Sequence, residues 1–283
     1  MPELPEVQTV VNGLANKIIG KVFFNTRVLV PRMVSTNLKK SLINKKVLGV
    51  VRRAKMIVME LNHNYYLVIH LKMTGQLIYI DQHGKAVGGG HPINYEVTKP
   101  NKFTRIILYF KNSSFLLYND VRKFGWLKLL KREEYLKLSA KHGLEPLSKE
   151  FTLNKFKEIL ESRPKSKIKQ LLLDQGKIVG LGNIYVDECL FKAKIKPMRA
   201  VLSLKGKELS RLYLAIKLTL NEAIKCGGTS VSTFINSSGE KGKYVEKLKV
   251  YGRGNLSCYS CKNKLKKIKI AGRGTVYCSK CQK

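Results

Sequence analysis

The sequence predicts an α+β protein of several domains, and three observations support this fold class. Residues 21–130 contain regularly spaced β-rich runs separated by short polar breaks, which is typical of a β-sandwich. Residues 152–226 show helical periodicity instead. Near the end, cysteines with the spacing C-x2-C-x16-C-x2-C indicate a four-thiolate zinc site formed by Cys258, Cys261, Cys278 and Cys281. At 283 residues, the chain can hold two cores and a small metal-stabilised module.

The individual elements follow from local patterns. A first helix is indicated by apolar residues at helical spacing, namely Val7, Val10, Val11 and Leu14. Pro5 and Glu6 suit the first turn of that helix. Strands are predicted at residues 22–30, 65–70, 103–110 and 115–118. Further helices are predicted around residues 171–173, 184–191 and 204–223.

These patterns set the expected domain limits. They are a sandwich domain at 1–131, a linker at 132–150, a helical domain at 151–228, a loop at 229–247 and a zinc module at 248–283. The glycines and serines of the loop suit either a functional mobile loop or a disordered spacer, and composition does not choose between them.

The chain is strongly basic, with 54 Lys and Arg residues against 19 Asp and Glu residues and a formal charge of +35. Nucleic acid and an anionic membrane are both candidate partners for such a charge. No apolar run reaches the roughly 18 residues of a spanning helix, and the N-terminus does not resemble a secretory signal. We therefore expect a cytosolic protein that acts without a membrane, in which Cys189 and Cys226 are buried, reduced thiols.

The zinc module is itself basic, because residues 241–283 contain 13 Lys or Arg residues and one acidic residue. Lysines alternate with apolar residues over 265–270, which predicts a β-hairpin with a basic face and with Arg273 near its turn. A purely structural zinc ribbon for protein contact is the alternative. The charge favours nucleic acid as the partner.

The first residues allow a specific chemistry. If Met1 is removed, Pro2 presents a secondary amine that can attack an electrophilic carbon and yield an iminium ion. Glu3 and Glu6 could move protons beside that amine. The same residues also suit an ordinary helix start, and spacing alone favours that simpler interpretation.

A turn in the helical half is a candidate phosphate site. Gly180 and Gly182 flank a single leucine, and Asn183 could cap the helix that follows. Backbone N–H groups at such a helix start can bind a phosphate. A plain interhelical turn explains the pattern equally well.

Nine short blocks occur in order along nearly the whole chain, at residues 2–7, 52–55, 70–75, 120–125, 172–175, 180–185, 227–230, 250–253 and 272–275. With them the sequence resembles the formamidopyrimidine-DNA glycosylase family of base-excision repair, which also contains endonuclease VIII. The resemblance implies a β-sandwich, a helix-two-turn-helix domain and a zinc finger with one structural Zn²⁺. It also implies a monomer that binds double-stranded DNA containing an oxidised base.

The resemblance assigns chemical roles. Pro2 would attack C1′ of the damaged nucleotide, and Glu3 would act as proton donor. Lys55 would donate a proton in β-elimination and Arg273 in δ-elimination, so that the strand is cut on both sides. Glu6 is an additional active-site candidate.

The resemblance also assigns DNA contacts. Met73, Arg122 and Phe124 match residues that fill the void left by the extruded base, for which a flexible apolar chain, a hydrogen-bond donor and a wedge are suited. Backbone contacts are implied for Lys123, Lys165 and Asn183.

The 229–247 segment corresponds to the family's loop over an extruded purine, which favours an oxidised-purine enzyme. An endonuclease VIII-like enzyme for oxidised pyrimidines and a non-catalytic DNA-binding protein remain alternatives. Two departures stand out: Gln8 replaces a glutamate, and residues 99–102 stand where the family commonly has histidines. Lys102 could replace a histidine contact as a point charge.

Overall fold

The computed structural model describes residues 1–35, 38–90, 99–230, 234–235 and 239–283. These residues form two compact units. The first unit comprises residues 1–140 and 226–245, and the second comprises residues 141–225 and 246–283. The chain therefore leaves the first unit and returns to it for one further segment.

Two antiparallel sheets form the β-sandwich of the first unit. The strands are β1 (Phe23–Val28), β2 (Val47–Arg53), β3 (Met56–Leu61), β4 (Tyr65–His70), β5 (Gly75–Ile80), β6 (Ala86–Gly90), β7 (Thr104–Phe110), β8 (Phe115–Asp120) and β9 (Trp126–Lys131). One sheet has the strand order β1-β7-β8-β5-β6 and the other the order β2-β3-β4-β9. The predicted sandwich and its four predicted strands are confirmed.

Two helices close the open sides of the sandwich. Helix α1 (Leu4–Ile18) contacts β2 and β6, which are edge strands of the two different sheets. Helix α2 (Leu38–Leu42) contacts β1 and β9, the edge strands on the other side. The apolar face of α1, including Val7 and Leu14, enters the core between the sheets. Covering edge strands in this way protects their free hydrogen-bonding groups.

Helix α3 (Arg132–Ala140) lies within the segment predicted as a linker. All of its side chains are at least partly exposed, so it presents little of the apolar periodicity that would reveal a helix in sequence. The predicted domain limits themselves stay a prediction.

The second unit is mainly helical. Its helices are α4 (Leu153–Glu161), α5 (Ile168–Leu172), α6 (Asn183–Lys192) and α7 (Gly206–Lys225), with a 3-10 turn at Val201–Ser203. A further 3-10 turn at Tyr244–Lys247 begins in the first unit and ends in the second. Cys189 of this unit is buried, whereas Cys226, the first residue of the segment that returns to the first unit, is only half-buried, contrary to the prediction that both thiols are buried. None of the helices in the described ranges combines the length and hydropathy needed to cross a bilayer.

The second unit ends in a two-stranded hairpin of β10 (Lys266–Ile270) and β11 (Arg273–Tyr277). Arg273 is the first residue after the turn and pairs with Ile270. The predicted hairpin is therefore present, with Arg273 at the predicted place. The four cysteines lie on either side of it in sequence.

Candidate active site and nucleic-acid interface

The start of α1 gathers buried carboxylates around the N-terminus. Glu3 immediately precedes the helix, and a carboxylate oxygen of Glu6 accepts the backbone N–H of Glu3 at 2.8 Å. Pro2, Glu3 and Glu6 are all buried. Acidic groups at a helix N-terminus are favoured by its dipole, which helps to keep these carboxylates in place.

Glu6 also holds the beginning of the 229–247 segment. Its other carboxylate oxygen accepts the backbone N–H of Thr229 at 2.8 Å. Gly228 precedes that residue with φ +85, and a Cβ there would lie 3.1 Å from Glu6. One carboxylate therefore connects the helix start with the base of this segment. The segment includes residues 231–233 and 236–238, so that part of the predicted loop over the purine lies outside the described residues.

Lys55 lies in the tight turn between β2 and β3, and only 6% of it is exposed. The preceding Ala54 has φ +54, a conformation that needs external support. Arg52 supplies some of this support by donating to the Ala54 carbonyl at 2.9 Å. Arg52 also donates to Gln8 at 3.0 Å, so the glutamine that departs from the family pattern still accepts this hydrogen bond.

The pKa of the N-terminal amine depends on its burial and on the charges of Glu3, Glu6 and Lys55. Burial is the largest effect and lowers the pKa of the Met1 amino group below its ordinary value of 8.0. Glu3 and Glu6 oppose this shift, and Lys55 lowers the pKa further. In the chain with Met1 the Pro2 nitrogen is part of a peptide bond, and removal of Met1 would place a free Pro2 amine in these surroundings. We call Pro2, Glu3, Glu6 and Lys55 the N-terminal cluster.

The three predicted void-filling residues lie on two neighbouring loops of the first unit. Met73 lies between β4 and β5, and Arg122 and Phe124 lie between β8 and β9. Met73 and Phe124 are 41% and 54% exposed, so both apolar side chains are accessible from solvent at the tips of their loops. The Arg122 guanidinium lies 4.7 Å from the centre of the Phe124 ring. Exposed apolar tips beside a cation suit insertion between DNA bases.

The other predicted cations are exposed on the surface. Lys123 lies between Arg122 and Phe124, and Lys165 lies in the turn before α5. Lys102 is exposed and places its ammonium 5.3 Å from the ring centre of Phe103. Their assignment as DNA contacts stays a prediction.

Asn183 does not cap α6, contrary to the sequence-based prediction. The N-cap is Gly182, whose backbone is extended, and Asn183 is the first helical residue. Its side-chain amide instead donates to the Gly274 carbonyl at 2.9 Å. This hydrogen bond ties the start of α6 to the residue that follows Arg273.

A buried ion pair supports the same part of the hairpin. The Lys169 ammonium lies 2.6 Å from an Asp187 oxygen and also donates to the Gly274 carbonyl at 3.2 Å. The second Asp187 oxygen accepts the Val276 N–H at 3.2 Å. Burial raises the pKa of Asp187 to about 6, although Lys169 pulls it in the opposite direction. Helices α5 and α6 therefore fix the β11 backbone beside Arg273.

Sequence reasoning missed this ion pair. Lys169 lies among the apolar residues of α5, and a single lysine there has the same pattern as a lysine on a solvated face. Glu188 was missed for the same reason, and it accepts the N–H groups of Lys249, Val250 and Tyr251. The sequence offers one signal of such a buried charge, a charged residue inside an apolar run. This signal does not show which residue is its hydrogen-bond or ion-pair partner.

The four cysteines meet the geometry of one zinc ion. All four sulfurs lie within 4.8 Å of one another, with Cys258 and Cys281 3.9 Å apart and Cys261 and Cys278 3.4 Å apart. Zn–S bonds of about 2.3 Å in a tetrahedron give S···S edges of about 3.8 Å. When bound, zinc would stabilise the fold of this module, and four thiolates leave no open position for substrate.

Comparisons with known proteins identify the family. Family models match at residues 1–127 (formamidopyrimidine-DNA glycosylase N-terminal domain), 142–235 (formamidopyrimidine-DNA glycosylase H2TH domain) and 256–283 (zinc finger found in FPG and IleRS). This chain belongs to the formamidopyrimidine-DNA glycosylase family. It is therefore a DNA repair glycosylase with a four-cysteine zinc finger.

Relatives agree over almost the full length. The formamidopyrimidine-DNA glycosylase of Pelotomaculum thermopropionicum is 39% identical, with 94% of this chain and 93% of the relative covered. That of Heliobacterium modesticaldum is 38% identical, with 94% of each chain covered. The Lactococcus lactis Fpg, solved with DNA containing N7-benzyl-Fapy-dG, superimposes with a TM-score of 0.86 at 36% identity, covering 99% of each chain. The same protein bound to abasic-site DNA gives the same TM-score.

Proposed function

We propose that this glycosylase removes oxidised purines, such as 8-oxoguanine and ring-opened formamidopyrimidines, from double-stranded DNA and then cleaves the strand at the abasic site. The N-terminal cluster carries this proposal. It surrounds the chain's N-terminal amine with two buried carboxylates and a buried lysine, and burial favours the uncharged form of that amine.

The proposed reaction starts from a free Pro2 amine. Its nitrogen attacks C1′ of the damaged nucleotide, the glycosidic bond breaks, and the base leaves with the bond's electron pair. The proton that the Pro2 nitrogen loses neutralises the departing base. Glu3 donates the proton that opens the sugar, and an iminium ion joins Pro2 to C1′. The Glu6 carboxylate holds the backbone of Glu3 during these steps.

Strand cleavage then follows by two eliminations. Lys55 moves the proton in β-elimination, which breaks the C3′–O bond, and Arg273 assists δ-elimination on the other side. The hydrogen bonds from Asn183 and Lys169 to Gly274 support the backbone next to Arg273. Both cations also suit phosphate contact.

The proposed partner is duplex DNA with one oxidised base. The protein would hold this DNA in two ways. The void left by the extruded base would be filled by Met73, Arg122 and Phe124, and the DNA backbone would be contacted by Lys123, Lys165 and Asn183. The charge of +35 supports a polyanionic partner. The L. lactis neighbour was solved with DNA containing Fapy-dG, which supports a purine lesion as substrate. We also propose that the protein is located in the bacterial cytoplasm, because zinc-bound thiolates suit a reducing compartment. We further propose that it acts as a monomer.

Borohydride trapping tests the mechanism. Protein whose Met1 has been removed, verified by intact mass, should form a covalent adduct with duplex DNA carrying 8-oxoguanine opposite cytosine. A matched protein that retains Met1 should bind the same duplex without forming an adduct. Absence of an adduct with an exposed Pro2 would contradict the mechanism. Preferential cleavage of a thymine glycol duplex would instead favour the pyrimidine enzyme.

A further inference from the structure

Asp120 links the two loops that carry the predicted void-filling residues. It ends β8, is only 1% exposed, and accepts hydrogen bonds from both loops. One carboxylate oxygen accepts the Thr74 hydroxyl and the Arg122 N–H, the latter at 3.1 Å, and the other accepts the Gly125 N–H at 2.8 Å. The Thr74 hydroxyl additionally accepts the Arg122 N–H at 3.0 Å. A buried carboxylate is stable only with such partners.

Each loop contains a strained residue next to its void-filling side chain. Lys72, beside Met73, has φ +50, and Lys123, beside Phe124, has φ +56. The left-handed conformation costs roughly 1–2 kcal/mol for a residue with a Cβ, so it persists only where neighbouring contacts impose it. The Asp120 hydrogen bonds are contacts of this kind.

The space around the loops is also tightly filled. A Cβ on Gly125 would lie 1.6 Å from the Tyr118 hydroxyl oxygen, and a Cβ on Gly75 would lie 2.3 Å from the Leu71 carbonyl oxygen. The Tyr118 hydroxyl donates to the His70 carbonyl at 3.1 Å. A Cβ on Gly75 would also lie 2.8 Å from the Tyr118 hydroxyl oxygen, so both loops pack closely against Tyr118 of β8.

Asp81 is an ordinary turn-capping aspartate, and its hydrogen bonds differ in reach from those of Asp120. It accepts the N–H groups of His83 and Lys85, both within its own hairpin. Asp120 also supports its own loop, but its bond to Thr74 reaches a loop that lies 46 residues away in sequence. Asp120 therefore joins two loops, whereas Asp81 stabilises one.

We propose that Asp120 is a positioning residue that holds both loops in one fixed relation, so that Met73, Arg122 and Phe124 enter the duplex together. This inference rests on the proposed function. Base extrusion from a duplex requires void filling, whereas an abasic site in a single strand requires none. Loss of the Asp120 link therefore affects duplex substrates and leaves the reaction at the N-terminal cluster intact.

Two variants separate this role from general folding. Asp120→Asn keeps the shape but loses one carboxylate acceptor, and Thr74→Val removes the hydroxyl that bridges the loops. Each should lower single-turnover excision of 8-oxoguanine from duplex DNA by about 10- to 100-fold, the range expected when reacting groups are misplaced by about 1 Å. Thr74→Ser, which keeps the hydroxyl, should restore excision. Asp81→Asn is the matched control and should behave as wild type.

A second substrate gives the decisive readout. Cleavage of single-stranded DNA containing an abasic site should be unchanged in Asp120→Asn and Thr74→Val. Equal loss on both substrates would overturn the positioning role in favour of a general structural one. Wild-type excision from duplex DNA by both variants would overturn it as well.

Insertion can also be measured without catalysis. In a duplex with 2-aminopurine opposite a tetrahydrofuran abasic analogue, binding of the wild type should raise the fluorescence by unstacking the probe, and Asp120→Asn should raise it less. If the wild type excises no lesion, the proposed function fails, but this fluorescence comparison still decides the role of Asp120. An equal increase for both proteins would refute it.

Discussion

The two units each contain a buried group of charged residues, and burial shifts the pKa of one member in opposite directions, because it favours the uncharged form of both an amine and a carboxyl group. Beside the N-terminal cluster, burial lowers the pKa of the Met1 amino group and favours its uncharged form. In the second unit, burial raises the pKa of Asp187, whose two oxygens are occupied by Lys169 and a backbone N–H of β11. We propose that the first group serves the reaction, whereas the second holds the backbone next to Arg273 through its contacts to Gly274 and Val276.

Removal of zinc should give the largest effect and should be confined to the second unit. Zinc supplies about 10 kcal/mol or more of folding free energy to small zinc modules. Chelation, or Cys261→Ser, should therefore abolish hydrogen-exchange protection in β10 and β11 while the sandwich strands stay protected. Hairpin amides that remain protected without metal would show that the hairpin folds on its own contacts.

Glu3→Gln should give the next largest effect and should be confined to the reaction. Loss of a positioned proton donor lowers rates by about 10² to 10⁴-fold. Single-turnover excision of 8-oxoguanine should fall in this range, while cleavage at a preformed abasic site should be reduced less, because no base remains to be removed. Glu133→Gln, an exposed residue of α3, is the control. Equal excision by both variants would argue against Glu3 as the donor.

Lys169→Met tests the second group of charges directly. Removing one partner of a buried pair typically costs about 3–5 kcal/mol, because the other charge is left uncompensated. Urea unfolding followed at the β10-β11 hairpin should show this loss, and adding Asp187→Leu should recover much of it. The exposed pair Lys155–Glu158 provides the control, since Lys155→Met should cost less than about 1 kcal/mol. If the two lysine variants lose equal stability, the buried pair does not hold the hairpin.

The same comparison explains which features could be predicted from sequence. Hydrophobic periodicity predicted α1 and the strands, and cysteine spacing predicted the zinc site. Both signals depend on residues that are close in sequence. The alternation of lysines placed Arg273 beside the hairpin turn for the same reason.

Other features depend on partners distant in sequence. Nothing near Asp120 or Lys169 indicates Thr74 or Asp187, although these contacts shape the candidate site. Asn183 was assigned to a helix cap because its residue type favours that position. Its side-chain amide instead donates a hydrogen bond to the Gly274 carbonyl. Helix α3 was missed because it buries no side chain and so lacks a clear apolar face. Local patterns show which residues are buried and leave their partners unspecified.

The pH dependence of stability should give the smallest effect. The pKa of Asp187 rises from 3.8 to about 6 in the folded protein. Well below pH 3.8 this group is protonated in both states, and as pH rises from 3.8 towards about 6 the unfolded state loses its proton first. The free energy of unfolding should therefore decrease across this window, by at most about 3 kcal/mol at 1.36 kcal/mol per pKa unit.

The difference between wild type and Asp187→Asn isolates this contribution. The pKa of Glu208 is lowered, so this residue contributes more stability as pH rises. Its contribution is the same in both proteins and cancels in the difference between them. Urea unfolding between pH 4 and 7 should show the wild type losing stability relative to Asp187→Asn as pH rises. A difference that grows in the opposite direction would mean that attraction to Lys169 outweighs the cost of burial. The ion pair would then stabilise the hairpin support by its charge, and the contrast with the N-terminal amine, where burial dominates, would be sharper still.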